Sequence, residues 1–366
     1  MAQYVDRVCS DICNCRGFAA QHEAVVPDQV DSIYLGGGTP SLLPQQQLQR
    51  LFKTITNEFQ IAPDAEITVE CAPGTLTQPI LECFQQCGVN RVSLGVQSFV
   101  DREAASVARL HTRAKTFDDI ENLRSHGISN INVDLIAGLP HQTLESWNES
   151  LDQVIATGVP HVSVYMLEVD LDSRLGRELI AGGTKYHAHS VPDDELTALM
   201  YDTARARLAA NGIAQYEISN FAREGFESRH NLKYWTRQPY LGFGLDAHSM
   251  LPAGTTAEGV RMATTDSYDD FFVSSAIEAF PVSRSQALEE NFFLGLRLNR
   301  GLSLNSVKQA FGRDFEKHAA AIEELLAAEV LALDGDMLRL TDRGRMISNE
   351  VFERFILEHD GSAVLA

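Results

Sequence analysis

Short runs of alternating polar and apolar residues recur along the first half of this chain, and each is followed by apolar residues at helical spacing. Ser32-Ile33-Tyr34 is the first such run and reads as a strand. Behind it, residues 42–59 carry Leu48, Leu51, Phe52, Ile55 and Phe59 on one helical face. The unit returns as a strand over 66–70 with a helix over 78–87, then 91–96 with 117–125, then 130–136 with 144–157; residues 161–165 form the fifth strand. Strands alternating with helices predict parallel βα units, in an open doubly wound sheet or a barrel. Ahead of them, Tyr4, Val5, Val8 and Ile12 share one face of a helix reaching about Glu23.

Beyond residue 180 the rhythm changes. Pro192-Asp193-Asp194-Glu195 opens a helix that runs to Gly212, its acids suiting the positive end of the helix dipole. Residues 216–221 read as a strand, and 254–284 as loop, with Gly254-Thr255-Thr256 and Thr264-Thr265-Asp266 as turn material. From Ala287 to Phe355 the pattern is a small helical unit with a short strand at Leu338-Arg339-Leu340-Thr341, as in a winged helix. These shifts predict three regions: 1–180, 181–284 and 285–366.

Composition narrows the function classes. With 44% hydrophobic and 22% charged residues among 366, the chain has ordinary soluble globular character. It has no apolar run of spanning length and no basic-then-hydrophobic leader, so a cytoplasmic location is expected. A net charge of −20 disfavours broad nucleic-acid binding, and acids such as Glu289, Glu290, Glu323, Glu324, Asp334 and Asp336 turn the winged-helix reading away from DNA.

Six cysteines are too few for a disulfide framework. Cys9-x3-Cys13-x-Cys15 puts three thiols into seven residues, but on a regular helix Cys15 points away from the face shared by Cys9 and Cys13. Ordinary helix cysteines are the reading that follows. Cys71, Cys83 and Cys87 read as buried small hydrophobes.

Candidate chemistry gathers at the strand ends. Leu35-Gly36-Gly37-Gly38-Thr39-Pro40 follows the first strand, and glycines there let a ligand touch the backbone. Thr39, Glu70, Gln97 and Asp134 each stand at a strand's carboxyl end, with Arg109 in the loop after the third strand. In barrels that edge builds the site, so one shared ligand is expected. A second cluster, from His230 through Trp235 and Tyr240 to His248, suits a flat apolar pocket with an imidazole ligand. It suits a Trp-anchored core with hydrogen-bonded histidines as well, and residue chemistry alone favours that.

Taken in order, these segments carry a resemblance. Residues 34–43, 70–75, 88–99, Arg109-Leu110-His111, 134–140, 216–249 and 339–344 resemble the oxygen-independent coproporphyrinogen oxidase superfamily of radical S-adenosylmethionine (SAM) proteins. His230-Asn231-Leu232-Lys233-Tyr234-Trp235 is similar to the His-Asn-x-x-Tyr-Trp signature of its heme-chaperone branch. The resemblance implies an α/β fold, a partial TIM-like (βα) barrel with an α+β extension and a small C-terminal winged-helix-like domain. It implies that Gly37, Gly38, Thr39, Glu70, Gln97, Arg109 and Asp134 bind SAM, and that His230, Trp235 and His248 bind heme. Heme and heme-accepting proteins are the implied partners, with a transient membrane association and no nucleic acid.

In the family, SAM also chelates a [4Fe–4S] cluster held by Cys-x3-Cys-x2-Cys, and one-electron reduction cleaves it to a radical. That motif is absent here, and Cys9, Cys13 and Cys15 have the wrong spacing to replace it. The expectation is that the first barrel strand and the cluster cysteines precede Met1, so that the chain as given holds no cluster and its catalytic residues stay unassigned. Delivery of heme is the function the resemblance favours. Oxidative decarboxylation of coproporphyrinogen III propionates is the alternative, and radical chemistry on tRNA is disfavoured by the acidity.

Overall fold

A computed structural model describes residues 1–167, 190–254, 257–273 and 277–357. The boundary expected at 180/181 lies outside the described residues. Contacts along the chain separate two compact units, one of Gln29–His230 and one of Met1–Asp28 with Asn231–Ala366.

The second unit begins with α1 (Ala2–Gln21), where Val5, Val8, Cys9, Ile12, Cys15 and Ala19 are buried. The face expected for the clustered cysteines is corrected: Cys9 and Cys15 are buried and Cys13 is exposed, because α1 buries residues on more than one side, Asp11, Ile12 and Cys15 as well as Val5, Val8 and Cys9.

The Gln29–His230 unit is built on a seven-stranded sheet. Strands β1 (Gln29–Leu35), β2 (Gln60–Cys71), β3 (Arg91–Gln97), β4 (Asn130–Ala137) and β5 (His161–Met166) are parallel neighbours in chain order. Short antiparallel strands β6 (Ala214–Gln215) and β7 (Asn220–Ala222) extend it in the order 1-2-3-4-5-7-6. Helices α2 (Gln45–Glu58), α3 (Gln78–Gln86), α4 (Asp101–Ser106), α5 (Arg113–Ser125), α6 (Leu144–Thr157) and α7 (Asp194–Ala210) connect the strands. Val69, Val92, Leu94, Ile131, Val133, Val162 and Trp147 are fully buried between the layers. The α/β reading with parallel βα units holds.

Local chemistry moves several boundaries. The helix expected over 42–59 splits: Pro44 forces Leu43 into extended backbone, so α2 starts only at Gln45. α5 starts a turn before its apolar spacing does, because the Thr112 hydroxyl caps it through the Lys115 amide. The strand expected over 216–221 is a correction. The buried Glu217 carboxylate accepts from the Ser219 amide (3.1 Å) and the Asn220 side chain, folding those residues into the turn between β6 and β7.

The loop expected over 254–284 is also corrected. Strands β8 (His248–Leu251), β9 (Gly259–Thr264) and β10 (Ile277–Val282) form an antiparallel sheet in the order 10-9-8. Strands of only four to six residues, one opened by Gly259 and one holding Pro281, gave too little apolar signal to separate from turn material. Of the expected turn, residues 255–256 lie outside the described part. The C-terminal region has the small helix-and-sheet character expected, with three short strands over 302–303, 331–334 and 337–340. Among the described residues no helix is long and apolar enough to cross a membrane.

Candidate functional site

The carboxyl ends of β1 to β5 and the loops behind them line a half-open cavity of about 270 Å³. Its wall follows from strand periodicity. Ser93, Gly95 and Gln97 alternate along β3 on one face, as do Asp134 and Ile136 on β4, with Tyr34 on β1 and Tyr165 on β5 beside them. Gly38, Thr39, Glu70, Gln97, Arg109 and Asp134, all expected from the sequence, line this one cavity. Gly37 does not line it; its amide donates to Glu70 Oε2 at 3.1 Å.

Two glycines make the wall possible. A Cβ on Gly36 would lie 2.6 Å from the Tyr34 ring and 2.7 Å from Glu70 Oε1, so only glycine lets that carboxylate reach the loop. At Gly95 a Cβ would press on Gln97 Nε2 at 3.3 Å and approach the Arg109 guanidinium at 3.8 Å. The β3–β4 register shifts between Leu94 and Gln97, and Gln97 takes a left-handed φ of 67°. Its buried Oε1 has no hydrogen-bond partner, which leaves an acceptor unused on a residue that lines the cavity.

The acids are anchored, and both are held above the ordinary carboxylate range. Burial is the main cause for Glu70, and the charge of Asp134 adds to it. The Tyr34 hydroxyl, donating to Glu70 Oε1 at 2.7 Å, and the Gly37 amide oppose the shift. Burial likewise raises Asp134, against hydrogen bonds that include those from Ser93 (3.0 Å) and the Asn132 amide (2.7 Å). Behind Asp134 the bonds continue inward: Asn132 Oδ1 lies 2.6 Å from His161 Nδ1, and His161 Nε2 lies 2.9 Å from Tyr216 Oη. Burial pushes His161 well below its usual value, so the imidazole stays neutral there. With Arg109 as a planar cation and two carboxyls primed for a counter-charge, the cavity suits a small ligand bearing a carboxylate, a cation and hydroxyls.

His230 belongs to the same unit. It lies in the first turn of α8 (Arg229–Trp235), whose leading amides are capped from the sheet: Glu66 accepts from Arg229 N (3.0 Å) and His230 N (2.9 Å). Its Nδ1 is 3.1 Å from Ser32 Oγ, and its ring stacks on Tyr34 at 4.9 Å and 22°. Trp235 and His248 are in the other unit. Trp235 lies under the Arg297 guanidinium at 4.4 Å, and His248 is exposed with Asp246 at 3.7 Å.

Sequence reasoning did not assign Tyr34, Ser93 or Tyr165 to the cavity, nor Ser32 and Glu66 to the anchoring of His230. Period-two spacing from Gln97 back to Ser93 was the available signal for one of them; the others depend on which strands become neighbours. Cys9 and Cys15 are buried and Cys13 is exposed, and among the described residues no three His, Cys, Asp or Glu side chains are placed to hold a metal.

A model of the radical SAM superfamily matches residues 19–154, and one of the HemN C-terminal domain matches residues 282–347. The heme chaperone HemW of Lactococcus lactis subsp. lactis (strain IL1403) is 33% identical over 340 residues, covering 90% of this chain and 86% of that protein. The heme chaperone HemW of Bacillus subtilis (strain 168) is 34% identical over 337 residues, covering 91% and 86%. Among solved structures, coproporphyrinogen III oxidase (HemN) from Escherichia coli, a radical SAM enzyme, is similar with a TM-score of 0.80 and 22% identity over 97% of this chain and 82% of that one. That last likeness is one of fold.

Proposed function

The chain belongs to the family of the heme chaperone HemW, within the radical SAM superfamily, and from that premise we propose that it binds heme and SAM and hands heme to acceptor proteins in the cytoplasm. The observation that carries the SAM half is the convergence of Glu70, Gln97, Arg109 and Asp134 on one cavity beside Gly38 and Thr39.

The residues fit the cofactor. Gln97 Oε1 offers an unused buried acceptor, and Gly38 leaves open space where a Cβ would stand. Arg109 would take the carboxylate through its planar fork, and an acidic side chain would take a ribose hydroxyl pair. Glu70 and Asp134, raised by burial, would be favoured as carboxylates by a cationic ligand, which for Asp134 would add to the charge of Arg91. What SAM supplies in this superfamily is a carbon–sulfur bond open to one-electron cleavage. The cysteines of this chain do not fit a [4Fe–4S] cluster: Cys9 and Cys15 are packed in α1 and Cys13 faces outward, so no step is assigned to one.

Heme is the cargo. His230 would supply the imidazole, and with Ser32 Oγ accepting from Nδ1–H the basic nitrogen would be Nε2. Trp235 and His248 are the other heme residues that the family resemblance implies, with His230 ranked ahead of His248 as the ligand because it stands within the signature. In this reading residues 1–180 hold SAM, 181–284 carry the heme signature and 285–366 form an accessory domain. Heme-accepting proteins and a transient membrane contact complete it. The likeness to the oxidase is of fold alone, and the His-Asn-x-x-Tyr-Trp signature favours the chaperone.

Titration of the folded protein with hemin is the test. It should give a shifted Soret band saturating near one heme per chain, and His230→Ala should weaken binding by about tenfold or more, the usual scale for loss of a metal ligand or its support. A folded sample that ignores hemin overturns the heme half. Unchanged SAM affinity in Asp134→Asn, read by calorimetry, overturns the SAM half.

A further inference from the structure

We propose that Tyr34 is a positioning residue that couples the SAM cavity to His230, so that a cationic ligand in the cavity fixes the orientation of the imidazole. This rests on the SAM and heme reading above and adds a connection between its two halves.

The connection is a single side chain with two ends. The Tyr34 hydroxyl donates to Glu70 Oε1 at 2.7 Å on the cavity wall, and its ring is stacked on His230. Around it the sheet holds His230 by separate means. Ser32, two residues earlier on the same face of β1, meets His230 Nδ1 at 3.1 Å. Glu66, the register partner of Ser32 on β2, receives the first amides of α8. Glu70 lies four residues beyond Glu66 on that strand, so the residue that anchors the histidine's backbone and the one that meets the cavity share a strand face.

Glu70 therefore reports cavity occupancy to Tyr34. Both its oxygens are engaged, one by Tyr34 and one by the Gly37 amide of the glycine loop. A cation in the cavity favours the carboxylate, and a hydroxyl donating to a carboxylate is shorter and stronger than one shared with a neutral acid. The stronger bond holds the tyrosine ring in one plane, and the ring holds the imidazole stacked on it. An occupant that makes different contacts in the two arrangements shifts their populations. By linkage, an iron ligated at His230 would raise SAM affinity by the same factor that SAM raises heme affinity.

Tyr34→Phe keeps the ring and removes the hydroxyl. The test uses the full chain with ring-labelled histidine, the His230 signal being assigned by its loss in His230→Gln. Saturating SAM should shift the His230 ring resonances in the wild type and leave them in place in Tyr34→Phe. In parallel, saturating SAM should tighten hemin binding by about fivefold or more in the wild type, and by less than about twofold in Tyr34→Phe. A His230 signal that ignores SAM in the wild type, or moves equally in Tyr34→Phe, overturns the coupling. Absence of hemin binding would overturn the heme reading instead, because the resonance shift is measured without heme.

Discussion

Gly36→Ala isolates the contact on which the cavity wall depends. The added Cβ would sit 2.6 Å from a Tyr34 ring carbon and 2.7 and 2.8 Å from Glu70 Oε1 and Cδ, against an ordinary contact of 3.4–4 Å. Gly36 does not have a left-handed φ, so the backbone accepts alanine and the whole effect falls on those neighbours. Relief requires Glu70 and Tyr34 to withdraw by roughly 1 Å, in the range where overpacking costs about 1–3 kcal/mol. Withdrawal lengthens the 2.7 Å Tyr34–Glu70 bond and the 3.1 Å Gly37–Glu70 bond. Bonds to a charged group contribute about 1.5–3 kcal/mol when kept, and the partly exposed carboxylate recovers some of that from water. The net destabilisation should be about 2 kcal/mol, with SAM affinity down about tenfold or more. Gly38→Ala is the control. Its Cβ meets nothing within 4 Å yet Gly38 lines the cavity, so stability should hold while SAM binding weakens. Urea unfolding and calorimetric SAM titration read both effects. Gly36→Ala within about 0.5 kcal/mol of wild type and with unchanged affinity would refute the packing argument.

Glu66→Ala should leave the Arg229 and His230 amides without their buried acceptor, costing about 1–3 kcal/mol and weakening hemin binding; hemin titration alongside unfolding checks both. For Glu70 and Asp134 the sign is set by folded values raised above the unfolded ones. Their stabilising contribution is present below the ordinary carboxylate range and is lost as pH rises through the raised values. Asp134→Asn should therefore gain stability relative to wild type as pH increases, while wild-type SAM affinity rises over the same interval; unfolding midpoints and titrations across that interval test it. His161, lowered by burial, has the opposite sign: its contribution is present above the unfolded value of about 6.5 and lost as pH falls towards the folded one. A His161→Gln variant should flatten the loss of stability below that pH, and an unchanged acid limb would count against it.

Legibility differed by the range of the interaction that decided each feature. The chain alone determined the βα rhythm, because a strand's period of two and a helix's of 3.6 are local properties of apolar spacing. Helix α6 was bounded from sequence at Leu144–Thr157, where a Thr143 capping box and Gly158 mark both ends. The polar strand ends were legible for the same reason, since parallel strands must put their carboxyl ends on one edge. The turn at 216–219 and the strands between 248 and 282 were not legible. A buried Glu217 satisfying its own turn, and strands that gain their hydrogen bonds only from each other, leave weak periodicity in the sequence.

Tertiary structure alone decided what surrounds the candidate residues. Ser32, Tyr34 and Glu66 read as ordinary strand positions until β1 and β2 pair in register and α8 docks its first turn on them. That Glu70 and Asp134 are pushed above the ordinary carboxylate range is likewise a property of the assembled cavity. Burial and the distance to a neighbouring charge exist only after residues far apart in the chain have been brought together.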